Sequence, residues 1–170
     1  NKILVRADSR GEVETRVCEV ISESYPYLFA WIGTVDSETD RVEPQTSAGK
    51  DEGYLDDVTI TADTAPTGQG PGGTAIRERR VAVAQNIAED AKFTPWRDAA
   101  LNRGYRSVAA VPLEYEDTLY GELVVYADRP NAFDKDERAL LKELGDNIAH
   151  SIHSFNVREE LRTERDRRQA

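Results

Sequence analysis

The 170 residues carry 32 acidic against 22 basic side chains, a formal net charge of −10 at pH 7. That balance excludes nucleic acid as the partner of the globular part, because phosphate binding needs a basic face. The single cysteine, Cys18, excludes an internal disulfide, and no apolar run approaches the roughly 20 residues of a membrane span. With no signal peptide at its start, the chain reads as cytoplasmic and free of membrane contact.

Residues 1–10 read as an N-terminal linker that starts with a short apolar run, Asn1 to Val5. From Glu12 onwards Val13, Val17, Val20 and Ile21 recur at helical spacing, and Pro26 closes an amphipathic helix. Cys18 falls inside it as a small, half-buried side chain. Leu28 to Val35 is apolar on both parities and predicts a strand covered on two faces. After a polar turn, Arg41 to Ala48 reads as an edge strand, because Pro44 cannot donate to a ladder. The stretch 51–67 has little to bury and predicts an irregular connection with a short helix near Tyr54.

Thr67 to Thr74 is glycine-rich and leads into a helical run from Ala75 to Arg80, then a strand over Val81 to Ala84. It lacks the Gly-Lys-Ser/Thr ending and the preceding strand of a phosphate loop. Its glycines are expected to supply a tight turn with positive φ. A further helix is predicted from Pro95 to Asn102, ended by Gly104. Ser107 to Leu113 and Leu119 to Ala127 then form a hairpin around the turn Glu114 to Thr118, and this hairpin is expected in the middle of the sheet. Asp134 and Glu137 fit a capping box before a helix of up to 37 residues with a stripe of Leu140, Leu141, Leu144, Ile148, Ile152 and Phe155. At 1.5 Å per residue such a helix is about 55 Å long and must project beyond the globule. From Arg158 the stripe fails except at Leu161.

The arginine and glycine before a strand ending Val111-Pro112-Leu113, the string Tyr120-Gly121-Glu122-Leu123, and Phe133 ahead of a helix resemble the C-terminal half of a GAF domain. The string from Asp90 to Ser107, with Phe93, Trp96 and Tyr105, resembles that family's variable cap, and the likeness extends over about residues 11–155. It implies an α/β fold of α+β type: a central antiparallel sheet, the terminal helices on one face and a small helical cap on the other. Residues 156–170 would then be a helical linker. Acidic, arginine-rich and lysine-poor composition, with 17 Arg and 5 Lys, is similar to proteins of salt-loving archaea; an acidic mesophilic protein is the alternative. The chain has no methionine, not even at position 1, and reads as a piece of a longer protein. The resemblance is closest to GAF segments of bacterio-opsin-activator-like transcription regulators and of sensor histidine kinases.

What the family resemblance implies is a sensory module with a small-molecule pocket between sheet and cap. Trp31, Phe93, Trp96, Tyr105, Ser107 and Tyr126 are the candidates to line it, with Arg97 able to pair an anionic group. The alternative is a structural dimerisation module in which those aromatics are core and no ligand binds. A homodimer is expected, with Val13, Val17, Leu141, Ile148 and Ile152 shared between core and seam and the last helix leading to a helix-turn-helix or histidine-kinase output domain in the same full-length chain. Enzymatic readings lack parts. His150 and His153 stand three apart with no third transition-metal ligand, no cysteine lies near the cap for a covalent bilin, and the cysteines of the family's methionine-sulfoxide reductases are missing. No cofactor is expected. Asp128-Arg129, Phe133 and Asp136-Glu137 partly resemble the cyclic-nucleotide signature of some GAF domains; they equally fit a helix cap and a salt bridge to Arg129.

Overall fold

The computed structural model describes residues 10–169. The expected linker over residues 1–10 therefore lies outside the described residues, save Arg10. Helix α1 (Arg10–Ser22) leads into strand β1 (Tyr27–Val35), which turns back as β2 (Val42–Gly49). The connection carries α2 (Tyr54–Asp57), a 3-10 turn at Pro66–Gly68 and α3 (Pro71–Glu78). Next come β3 (Ala82–Ala84), a 3-10 segment at Ala91–Trp96 and α4 (Arg97–Asn102). The hairpin β4 (Ser107–Tyr115) and β5 (Thr118–Ala127) follows, and α5 (Lys135–Gln169) closes the chain.

Every strand pair is antiparallel and the spatial order is β2-β1-β5-β4-β3, which puts β5 at the centre of the sheet. Strands β1, β4 and β5 are buried on both faces because each face has its own core. One core sets Val17, Cys18 and Ile21 of α1 and Leu141, Ile148 and Ile152 of α5 against Ile32, Val111, Leu123 and Val125. The other sets the cap against Phe29, Trp31, Val108, Val124 and Tyr126. At the outer edge, Pro44 of β2 lies opposite Gly33, where the β1–β2 register shifts.

Three expectations need correction. The hairpin turn is only Glu116-Asp117, with both residues at positive φ (49° and 66°), so the strands run further than the charged residues suggest. Two consecutive left-handed residues match the right-handed twist of the flanking strands and close a tight hairpin. The glycines from Gly68 to Gly73 are needed for close approach and do not adopt positive φ. A Cβ on Gly68 would stand 1.8 Å from Asp63 O, and one on Gly73 would stand 2.2 Å from Gly68 O. Third, Val13, Val17, Leu141, Ile148 and Ile152 are all buried within the protomer, by the sheet and the opposing helix. A single apolar stripe serves one partner, and here the sheet takes it.

Helix α5 starts as its sequence suggests. Glu137 N–H donates to Asp134 Oδ1 at 2.8 Å, the N-cap half of the capping box. The Glu137 carboxylate turns instead to accept from the Tyr27 hydroxyl. Asp134→Ala should therefore cost about 1 kcal/mol, read as a lower denaturant midpoint with unchanged slope. From Val157 to Gln169 every residue of α5 is exposed, a projection of roughly 20 Å at 1.5 Å per residue.

Candidate functional site

Four segments of the cap and two strands converge on a small cavity. From the cap come Tyr54, Ile60, Pro71, Gly72, Phe93 and Trp96; from the sheet come Val108, Val124 and Tyr126. The open volume is about 20 Å³, room for one water. Trp96 closes one side because it can lie directly on the backbone of Gly70, where a Cβ would come within 2.4 Å of the indole ring. Its Nε1–H donates to Thr59 O at 2.7 Å, which ties the irregular connection to the 3-10 segment. Trp96→Phe removes that bond together with the pyrrole half of the buried indole, so it should cost roughly 2–3 kcal/mol in a thermal melt.

Behind the cavity lies a packed aromatic layer. Tyr126 stacks on Tyr105 with centroids 4.6 Å apart and on Phe29 at 5.6 Å, while Tyr54 meets Tyr126 edge-on at 5.4 Å. The Trp31 Nε1–H donates to the Tyr126 hydroxyl at 3.2 Å, and the Tyr105 hydroxyl donates to Lys50 O. Burial pushes the Tyr54, Tyr105 and Tyr126 phenols above their ordinary range, so all three are neutral donors.

Of the residues singled out from sequence, Phe93, Trp96 and Tyr126 line the cavity, and Trp31 and Tyr105 belong to the aromatic layer behind it. Ser107 does not join them. It has the parity of Ala109 and Val111, which face the terminal helices, and its hydroxyl donates to Arg129 O at 2.6 Å. Arg97 is also committed elsewhere: its guanidinium donates to Ile87 O at 3.2 Å and Asp90 O at 2.6 Å. The two other buried-side arginines of the cap behave alike. Arg77 donates to Gly68 O at 2.6 Å and to the carbonyls of Ala62 and Asp63. Arg103 donates to Glu52 O and Ala99 O and pairs with Asp57 at 2.7 Å.

Glu122 was missed. It sits in the centre of β5 on the cap face, two residues before Val124, with no exposed surface. Neither carboxyl oxygen has a hydrogen-bond partner among the described residues. Burial alone pushes its carboxyl well above the ordinary carboxylate range. The other buried acid, Glu14, is matched: Arg10 Nε donates to its Oε1 at 2.7 Å. The signal for Glu122 was present, since a charged residue in a strand apolar on both parities has no solvent face to occupy.

The remaining sequence candidates lie on the other side of the sheet. Phe133 stacks on Tyr27 at 5.7 Å, and Arg129 pairs with its neighbour Asp128 and covers the Tyr25 ring at 4.5 Å. Arg129 thus pairs with Asp128, while Glu137 accepts from Tyr27. His150 stacks on Tyr115 at 4.7 Å, and His153 Nδ1 meets the Tyr120 hydroxyl at 2.8 Å. Among the described residues no group of three or more His, Cys, Asp or Glu is placed to hold a metal ion. No described helix is long and apolar enough to cross a membrane.

Comparison with known proteins agrees with this architecture. A family model described as GAF domain matches residues 7–153. The bacterioopsin transcriptional activator of Halobacterium salinarum is 31% identical over 162 residues, covering 95% of this chain and 22% of that protein. The chain spans about a quarter of the length of the curated relatives it matches. Among solved structures, the GAF domain of a phosphoenolpyruvate-protein phosphotransferase from Coxiella burnetii superimposes with a TM-score of 0.75 at 14% identity, covering 94% of this chain and 91% of that one. The free methionine-R-sulfoxide reductase of Neisseria meningitidis, solved with its substrate, gives 0.74 at 17% identity, covering 91% and 84%.

Proposed function

Because this chain belongs to the GAF domain family, its model spanning residues 7–153, we propose that it is the sensory module of a cytoplasmic transcription regulator. It takes up a small molecule between sheet and cap and relays the event through a dimeric α5 to an output domain, a helix-turn-helix or a histidine kinase, elsewhere in the full-length protein. One observation carries this reading. Strand β5 presents Val124 and Tyr126 to the cavity and Leu123 and Val125 to the core shared with α5, so one strand touches both input and output. A guest that shifts β5 biases the seat of α5 directly.

The resemblance to a transcriptional activator from a salt-loving archaeon supports the regulatory setting. The reading is non-catalytic. Cys18, the one cysteine, is buried in α1 on the opposite face of the sheet from the cavity, its thiol pushed up to about 12 by burial. In this proposal the seam between copies uses the exposed apolar residues of the helices, Val20, Leu140, Val157 and Leu161. The second reading, a ligand-free structural dimerisation module, is favoured by the small volume of the cavity.

Sedimentation in molar KCl, combined with mass analysis of small molecules released on denaturation, separates these readings. A dimer that releases a stoichiometric small molecule supports the sensor, and an empty dimer supports the structural module. A monomer at high protein concentration overturns the dimer that both readings require.

A further inference from the structure

The cap face of the sheet carries one fully buried ionisable side chain with no hydrogen-bond partner among the described residues, the carboxyl of Glu122. Arg77, Arg97 and Arg103 are consumed by backbone carbonyls and, for Arg103, by Asp57. None of the three lines the cavity. Glu122 has no such partner, although it is fully buried.

Its position relates it to the cavity. A Cβ built on Gly72 would stand 3.2 Å from Glu122 Oε2, 3.6 Å from Oε1 and 3.2 Å from Ile60 Cγ2. Gly72 and Ile60 both line the cavity, so the carboxyl lies against the wall that they form with Val124. Within the sheet it is flanked by Gly33 on β1 and Pro112 on β4. Neither neighbour brings a polar side chain.

Resting on the sensor reading above, we propose that the cap pocket takes a small organic cation, an amine whose ammonium group pairs with Glu122 and whose apolar body lies against Phe93, Trp96 and Tyr126. Three physical reasons favour this class. A buried carboxylate is costly unless a cation compensates it, so an ammonium ion recovers what no protein group supplies. Aromatic faces attract cations in a desolvated site, and the lining contains several. An anionic guest would find none of Arg77, Arg97 and Arg103 free to pair with it. A guest larger than water must push the cap outward, and the hydrogen bond from Trp96 to Thr59 is the contact that it would break.

The test uses benzylamine, benzyl alcohol and benzoate, which share one ring and differ in charge. Both tryptophans of the chain, Trp31 and Trp96, lie in the cap-side core, so their fluorescence reports on this site. Benzylamine is expected to bind at least tenfold more tightly than the alcohol or benzoate at neutral pH. Glu122→Gln, shown to be folded by circular dichroism, should bind amine and alcohol alike. Where that variant fails to fold, Gly72→Ala places a methyl group against the carboxyl and should weaken benzylamine at least fivefold. Equal binding of all three probes by the parent chain overturns the cation assignment and leaves the pocket reading standing. So does a preference that survives either substitution. No response of the parent chain to benzylamine likewise overturns the cation assignment, while the sensor reading stands or falls on the small molecule released on denaturation.

Discussion

Glu122→Gln should melt at a higher temperature than the parent chain, and the gap should widen as the pH is raised above about 4.5. In the folded state burial lifts the carboxyl well above that value, whereas in the unfolded chain it titrates normally. Between the two pKa values the folded state holds a proton that the unfolded state has lost, so stability falls with rising pH across that window. Glutamine has no such proton. Each pH unit within the window should therefore add up to about 1.4 kcal/mol to the difference between the two proteins. For a domain of this size that is roughly 2–4 °C of melting temperature per kcal/mol. Paired melts at pH 5, 6, 7 and 8 in constant salt make the measurement, and the other carboxylates cancel in the difference. An offset independent of pH would mean that Glu122 is ionised and matched in the native state.

Gly121→Ala should act in the opposite direction and cost about 3 kcal/mol or more. Gly121 has φ of +142°, and a Cβ there would stand 2.3 Å from Gly33 O on the neighbouring strand. Both penalties are backbone penalties, so no rotamer can relieve them. It lies beside the register shift at Leu113/Glu114 in the β4–β5 ladder, where the hairpin bends. The loss should appear as a lower urea midpoint, with Thr118→Ala, an exposed change two residues beyond the turn start, as the near-neutral control. A midpoint within the control's range would mean that β1 and β5 can separate locally at little cost.

The frame of the molecule was legible because periodicity reports burial. Val13, Val17 and Ile21 mark one helix, and the doubly apolar Ser107 to Leu113 and Leu119 to Ala127 mark strands covered on two faces. The same double burial hides which face a residue takes. Ser107 and Tyr126 both looked suitable for the pocket, yet the pairing of Val108 with Tyr126 places Ser107 on the opposite parity. The cavity was less legible still, since its lining comes from six separate stretches between Tyr54 and Tyr126. Glycine in the 68–73 turn was attributed to φ when the real demand is steric. Only the folded contacts reveal it: Asp63 lies five residues from Gly68, while Thr61 and Trp96 come against Gly73 and Gly70 from further along the chain.

The two ends of the sheet bear on how copies of the chain can meet. Open strand edges invite another chain to add on, a route to filaments without limit. Here one edge, β3, is three residues long, and the other, β2, carries Pro44 at a register shift together with exposed Glu43 and Gln45. Both ends are poor templates for an incoming strand. Growth by sheet extension is thereby disfavoured, and the dimer proposed above would meet through helical surfaces, where a two-fold contact closes on itself and stops at two.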